Sequence, residues 1–303
     1  VPLPPVWENA VQFDILLEHL INGLTLGAFY ALVTTGLALI FGVARLINFA
    51  HGDFIMVGGY CFVLLSNRSG LDISYPVEIV LVVAAMAVFS VIIARVVIIP
   101  IIGMNWRLQV VATLGISIVL QNLALILFTS DPQQTPTPFT AQITEVLGVR
   151  ISAQRLIIFA AAAAVFIGLQ WFVRHTKAGK AIRAVSQNRL MCEVVGIDVR
   201  RVVLMTFAIS GALAGLAAVL IAPLFSVSPN MGSLITLKGL AAVIMGGLGQ
   251  VNGAVYAAFI LGLSESLFAG YVSFAYKDVA LFTIFILVLL LRPQGLFGKK
   301  LSI

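Results

Sequence analysis

The stretch NGLTLGAFYALVTTGLALIFGVARLINFAHGDFIMVGGY, residues Asn22–Tyr60, decides the fold. From Asn22 to Ala44 it holds no Asp, Glu, Lys, Arg or His. About 20 apolar residues suffice to cross a bilayer as a helix, so this run predicts one crossing. Arg45, Asn48, His51 and Asp53 then interrupt it, and a second apolar run begins at once. The rest of the chain repeats that alternation. Of its 303 residues, 61% are hydrophobic and 10% charged, and the mean hydropathy is +1.10. A soluble domain carries about a quarter charged residues. Too few polar side chains exist here to cover a surface that faces water, so lipid is the main solvent. The predicted class is all-α: a polytopic membrane protein with about 8–10 transmembrane or re-entrant helical segments in one domain, residues 1–303.

Nine apolar segments follow: Ile15–Val43, Asp53–Leu65, Tyr75–Ile99, Leu108–Thr129, Ala153–Val173, Val202–Ala222, Leu237–Leu248, Val251–Gly270 and Val279–Leu291. The second, seventh and ninth are short for a full crossing. The seventh, in LKGLAAVIMGGLGQVNG, is interrupted by Gly246, Gly247 and Gly249 and reads as paired half-helices or a re-entrant segment. Irregular backbone at that depth needs cover from protein or a water-filled cavity. With the N-terminus outside and all nine crossing, Arg45, Arg95, Arg107, Arg174, Lys177, Lys180, Arg183, Arg189, Arg200, Arg201, Arg292, Lys299 and Lys300 lie inside, 13 of the 18 Lys and Arg. Basic residues collect in cytoplasmic loops, so the N-terminus is expected outside and the C-terminus in the cytoplasm. The same rule accounts for the net charge of +6 without a nucleic-acid partner. The two cysteines, Cys61 in an apolar run and Cys192 in a basic loop, exclude a disulfide scaffold.

Two loops stand out. The outer loop 130–152, SDPQQTPTPFTAQITEVLGVRIS, is polar and Pro-rich, and reads either as a docking place for an outer partner or as a solvated linker. The cytoplasmic loop 174–203 has a helical pattern, with Ala181, Ala184, Val185, Leu190, Met191, Val194 and Val195 at spacings of three and four, and Gly196 as its stop. An amphipathic helix held between two spans suits a groove on another protein. It equally suits the anionic leaflet, making membrane lipid a partner.

Loop 174–203 resembles the coupling loop of ABC importer permeases, with Ala181, Ala184, Gly196 and Ile197 at matching places; the Glu that begins the motif in other importers is not obvious here. A closer resemblance covers nearly the whole chain. The opening stretch, LKGLAAVIMGGLGQVNGAVYAAFILGLSES and YKDVALFTIFILVLLLRPQGLFG are similar to the LivH-type permeases of branched-chain amino acid ABC importers. That resemblance implies a multi-pass protein of the bacterial inner membrane. It also implies a second related permease subunit, two ATPase subunits and an extracytoplasmic substrate-binding protein as partners. Its substrates would be small amino acids, most of all leucine, isoleucine and valine. Ala181, Arg183, Ala184, Glu193 and Gly196 are then the residues expected to couple to the ATPases.

The chain has no P-loop of its own: around Gly179 and Lys180, Arg174 stands where the first Gly belongs and Ala181 where Ser or Thr belongs. No cofactor or metal is expected, ATP being bound and hydrolysed by separate subunits, and His19, His51 and His175 are too scattered to share an ion. Ionisable groups at membrane depth cost about 2.5–3.5 kcal/mol on insertion scales and so mark pathways or internal partners. Asn48, His51 and Asp53 are read either as a substrate or proton site or as a turn re-entering the membrane, at the inner face of the first helical hairpin, with the substrate reading kept for Asn48 and Asp53 alone. Lys238 and Glu265, of opposite charge and similar depth, are expected to pair with each other directly, through water, or with the second permease. Gly246, Gly247 and Gly249 are expected to break a helix beside the pathway, where freed backbone meets a zwitterion. Gly23, Gly27, Gly36, Gly211 and Gly215 read as packing positions. The alternative function is an ATP-independent channel or facilitator for urea, amides or similar solutes.

Overall fold

The computed structural model describes residues 5–68, 73–146 and 149–298; Lys299 and Lys300, expected inside, lie outside them. Its helices are α1 (Pro5–Ala44), α2 (His51–Val63), α3 (Tyr75–Ile93), α4 (Ile99–Ile101), α5 (Trp106–Phe128), α6 (Pro138–Ala141), α7 (Ala153–His175), α8 (Lys177–Gln187), α9 (Arg189–Val194), α10 (Val199–Ile221), α11 (Met231–Gly246), α12 (Val251–Tyr271) and α13 (Lys277–Leu291). A hairpin of β1 (Ile143–Val146) and β2 (Val149–Ser152) is the single sheet among the described residues. All nine apolar segments fall on helices, and seven are long and apolar enough to cross a membrane. The class is therefore all-α and polytopic. A π-helical turn, Ala94–Ile98, joins α3 to α4 just before Pro100, so the span runs on to Ile101. Pro cannot donate to the helical ladder, and a wider turn is one way to absorb that loss.

α1 is the centre of the bundle, packed by α12, α10, α7 and α11, whereas α7 and α13 present most of their surface outward. Small residues set the closest approaches, since a chain that is apolar all round has no other way to choose a contact face. A Cβ on Gly262 would come within 2.3 Å of the Gly27 amide nitrogen, and one on Gly211 within 2.5 Å of the Met86 carbonyl.

Three local readings change. First, α2 does not start at the membrane surface. After α1 ends at Ala44, residues 45–50 run back into the bundle, and His51 packs against Gly36, eight residues before the end of α1. Eight helical residues span roughly 12 Å, so α2 opens well inside the membrane. Arg45, at φ 52°, makes the reversal. Second, α11 is unbroken from Met231 to Gly246, beginning six residues earlier than hydropathy suggests. The glycines end it instead of interrupting it, with Gly247 at φ 104° and Gly249 at φ 78° in the turn to α12. Third, loop 130–152 is built rather than slack. It carries α6 and the hairpin, and Gln133 exchanges backbone hydrogen bonds of 2.9 and 2.8 Å with Val227.

The start of α2 crosses α11 with almost no clearance: a Cβ on Gly52 would lie 2.0 Å from the Gly232 carbonyl oxygen, and one on Gly232 would lie 2.3 Å from Asp53 Oδ1. Gly52→Ala and Gly232→Ala are each expected to destabilise the protein by about 3 kcal/mol or more, the upper range for overpacking. Gly115→Ala and Gly168→Ala, with nothing within 4 Å, should stay within about 0.5 kcal/mol. Thermal denaturation in detergent, comparing the two pairs, checks the crossing.

Candidate functional site

The buried start of α2 gathers polar groups from four helices. The Asn48 side chain accepts from the Ala50 amide (3.1 Å), and the Gly52 amide donates to Thr236 Oγ1 (2.8 Å). These bonds serve amides that a helix beginning in hydrocarbon would otherwise leave bare. Asp53, fully buried in the first turn, suits the positive end of the helix dipole. Its Oδ1 accepts from Gln121 Nε2 at 2.9 Å, and Gln121 also reaches Ser117 Oγ (3.0 Å) and Ser233 Oγ (2.8 Å). Asp53 Oδ2, Asn48 Nδ2, both ring nitrogens of His51 and Ser210 Oγ have no hydrogen-bond partner, although the Val33 carbonyl lies near the His51 ring. Unmet buried groups cost about 1–3 kcal/mol each, so such a cluster calls for a reason.

α5 supplies a feature that sequence reasoning missed. Gln109, Thr113, Ser117 and Gln121 recur every four residues, so they share one helix face. Gln109 reaches the Ile101 and Met104 carbonyls, Thr113 the Ile47 carbonyl at 3.4 Å, and Ser117 and Gln121 the neighbourhood of Asp53. The strict spacing in RLQVVATLGISIVLQN was the available signal.

Lys238 and Glu265 pair directly, Nζ to Oε1 at 2.7 Å, and both are buried. The pair belongs to a larger cluster. Lys238 also lies 2.7 Å from Asp278 Oδ1 and 3.2 Å from Tyr30 Oη, Tyr30 donates to Glu265 Oε2 at 2.7 Å, and Lys277 stands 3.7 Å from Glu265. Two ammonium groups thus balance two carboxylates, joining α1, α11, α12 and the start of α13.

Gly246, Gly247 and Gly249 sit elsewhere. A Cβ on Gly246 would meet the Gly253 backbone at 2.3 Å, and one on Gly247 the Gly298 amide at 2.9 Å. Leu296 donates its amide to the Met245 carbonyl at 2.7 Å, so residues 292–298 fold over this turn. The three glycines thus end α11 in a close-packed turn.

Residues 174–203 form two helices where one was expected. Asn188 ends α8 and caps α9, accepting from the Met191 amide at 3.1 Å, and Thr176 and Asp198 cap α8 and α10 in the same way. Ile182, Val185 and Cys192 anchor the pair against Ile40, Val43, Val199, Val202 and Val203. Ala181 and Ala184 pack partly beneath it, and Arg183 points back toward the Arg174 carbonyl (3.5 Å). Glu193 pairs with Arg189 at 3.5 Å, and Gly196, at φ 82°, closes α9. Facing away are Leu190, Met191, Val194 and Val195, each 61% exposed or more.

A multi-helix membrane protein with a half-length helix starting at mid-depth, polar groups buried around that start and an apolar helix pair held outside the bundle has the build of a transport protein. The chain belongs to the family described as branched-chain amino acid transport system, permease component, which matches residues 19–291. It is 35% identical to the high-affinity branched-chain amino acid transport system permease protein BraD of Pseudomonas aeruginosa, over 93% of this chain and 96% of that one. It is 32% identical to the permease protein LivH of Escherichia coli, over 95% and 97% of the two chains. LivM, a second permease protein of the Escherichia coli system, is 27% identical over 90% of this chain and 68% of its own.

Removing Lys238 leaves two carboxylates against the single, more distant Lys277 ammonium group, whereas removing opposite charges together keeps the balance. Breaking a buried pair costs about 3–5 kcal/mol, so Lys238→Met is expected to lower the yield and melting temperature of folded protein sharply. Lys238→Met combined with Glu265→Gln should recover part of that loss. Size-exclusion yield and thermal denaturation of the single and double variants measure it.

Proposed function

We propose that this chain is one permease subunit of an ATP-driven importer of small amino acids, with leucine, isoleucine and valine as its substrates. It stands beside a second, related permease chain, and each supplies half of the pathway. Two ATPase subunits bind on the cytoplasmic side and an extracytoplasmic binding protein delivers substrate on the other. The N-terminus is outside and the C-terminus in the cytoplasm of a bacterial inner membrane. Support for the substrate comes from BraD and LivH, which are named for branched-chain amino acid transport, and LivM supports a distinct second permease.

The observation that carries the coupling reading is α9. Leu190, Met191 and Val194 of this short helix, with Val195 just after it, stand exposed while the neighbouring helices are firmly anchored. A contiguous apolar patch of that kind marks an interaction site. Its size and shape suit a groove in an ATPase, and its anchorage through α8 to α1 and α10 would carry a push into the bundle. Arg189, Glu193 and Gly196 fix the geometry of α9, and Ala181 and Ala184 permit the close seat of α8. Asn48 and Asp53 face the pathway, Lys238 and Glu265 hold the helices around it, and the Gly246–Gly249 turn is a packing element.

Leu190→Asp and Val194→Asp alter only exposed side chains, so the permease should still fold. Copurification of the ATPase subunits and ATP-dependent leucine uptake in vesicles are expected to fall about tenfold or more, the loss of an interface hot spot. Unchanged uptake in both variants, or uptake by this chain alone without ATP, would overturn the reading.

A further inference from the structure

Asp53 is a buried carboxylate with no cation beside it. The other deeply buried carboxylates among the described residues are better served: Glu265 has Lys238 and Tyr30, and Glu78 has the Ser66 hydroxyl. Asp53 forms no ion pair: its polar neighbours are the neutral Gln121 amide and Ser117 hydroxyl, and its Oδ2 has no hydrogen-bond partner. A place at the positive end of the helix dipole stabilises a carboxylate by less than burying one of its oxygens without a partner costs.

What stands over the carboxylate is Gln121, and its hydrogen bonds are over-subscribed. Its amide nitrogen has two hydrogens but lies within 3.0 Å of three acceptors, Asp53 Oδ1, Ser117 Oγ and Ser233 Oγ. A group with three N–H donors and a positive charge matches that acceptor set better than an amide does. Gln121 is half-buried and Ser233 exposed, so the site has a way in from the surface between α5 and α11.

One turn further along α2 the character changes. A cavity of about 190 Å³ between α2, α3 and α5 is lined by Val57, Cys61, Leu64, Phe89, Leu120 and Ala124, among others. Val57 follows Asp53 by one turn on the same face of α2, and Leu120 and Ala124 flank Gln121 on α5. The groove between α2 and α5 therefore has an anionic polar floor and an apolar wall adjoining it.

We propose that this groove binds the amino acid during transport, with the ammonium group on Asp53 in place of the Gln121 amide and the branched aliphatic side chain among Val57, Leu120 and Ala124. Gln121 acts as the stand-in that holds the empty site and turns aside when substrate arrives. The assignment rests on the reading of the chain as half of an amino-acid pathway. It adds where and by which groups the molecule is held.

The test uses the complete transporter, with both permeases, the ATPases and the binding protein, in proteoliposomes. Asp53→Asn keeps the shape and one acceptor but removes the charge. ATP-driven leucine uptake should drop about tenfold or more, the worth of one charged hydrogen bond, while ATP hydrolysis stimulated by loaded binding protein persists. Ala124→Leu, which shrinks the apolar wall, should reduce uptake of leucine more than that of valine. A third measurement needs no variant: leucine at saturating concentration, in the turning-over wild-type transporter, should slow the reaction of Cys61 with a membrane-permeant maleimide. Cys192, buried in the α9 region, is the internal control, and mass spectrometry separates the two sites. Wild-type uptake by Asp53→Asn, an unchanged leucine-to-valine ratio in Ala124→Leu, or equal Cys61 labelling with and without leucine would each overturn the site. If the wild-type transporter imports no amino acid whatever, the failure lies with the proposed function instead.

Discussion

A helix that begins inside a membrane has amide groups with no water to bond, and this one constraint shapes the centre of the protein. α2 starts beside Gly36, and its first amides must be met by whatever protein is near. Thr236 serves Gly52, Asn48 serves Ala50, and Asp53 lies at the positive end of the dipole. Each partner sits on a different part of the chain, so α1, α5 and α11 must all converge on that point. The glycine crossing of α2 and α11, the four-residue polar stripe of α5 and the reversal at Arg45 are consequences of that convergence.

The outer helices obey a simpler rule. α7 and α13 face mostly outward, so their sequences need only be apolar and long, and hydropathy places them to within a few residues. That is why the order of the apolar segments was legible at once, although seven of the nine, not all, are long enough to cross. The Lys238–Glu265 pair was legible too, because opposite charges at equal depth in a lipid-facing chain have few other solutions. The inclusion of Asp278 was not, since a Lys-Asp step at the start of a span reads as an ordinary solvated end.

What stayed hidden depended on the path of the chain between elements. Nothing in the composition of residues 45–50 says whether they cross the surface or turn back into the bundle. A short polar run at the end of a span usually does the former, and only the contact with Gly36 reveals the latter. The glycines after α11 carried a real signal of a break, but glycine marks a packed turn as well as an opened helix. The division of α8 from α9 could have been found. Asn188 precedes a fresh helical turn, and an Asn in that position competes with the ladder by capping the next segment.

The cluster around Lys238 has a further consequence. Its two ammonium groups and two carboxylates sum to zero, and they hold four helices at one level. Moving one charge through a membrane potential of 100 mV involves about 2.3 kcal/mol. A neutral group that shifts as a unit feels almost none of that field. Helices tied together in this way can change their tilt without doing electrical work, so the resting voltage of the cell neither drives nor opposes that part of the motion.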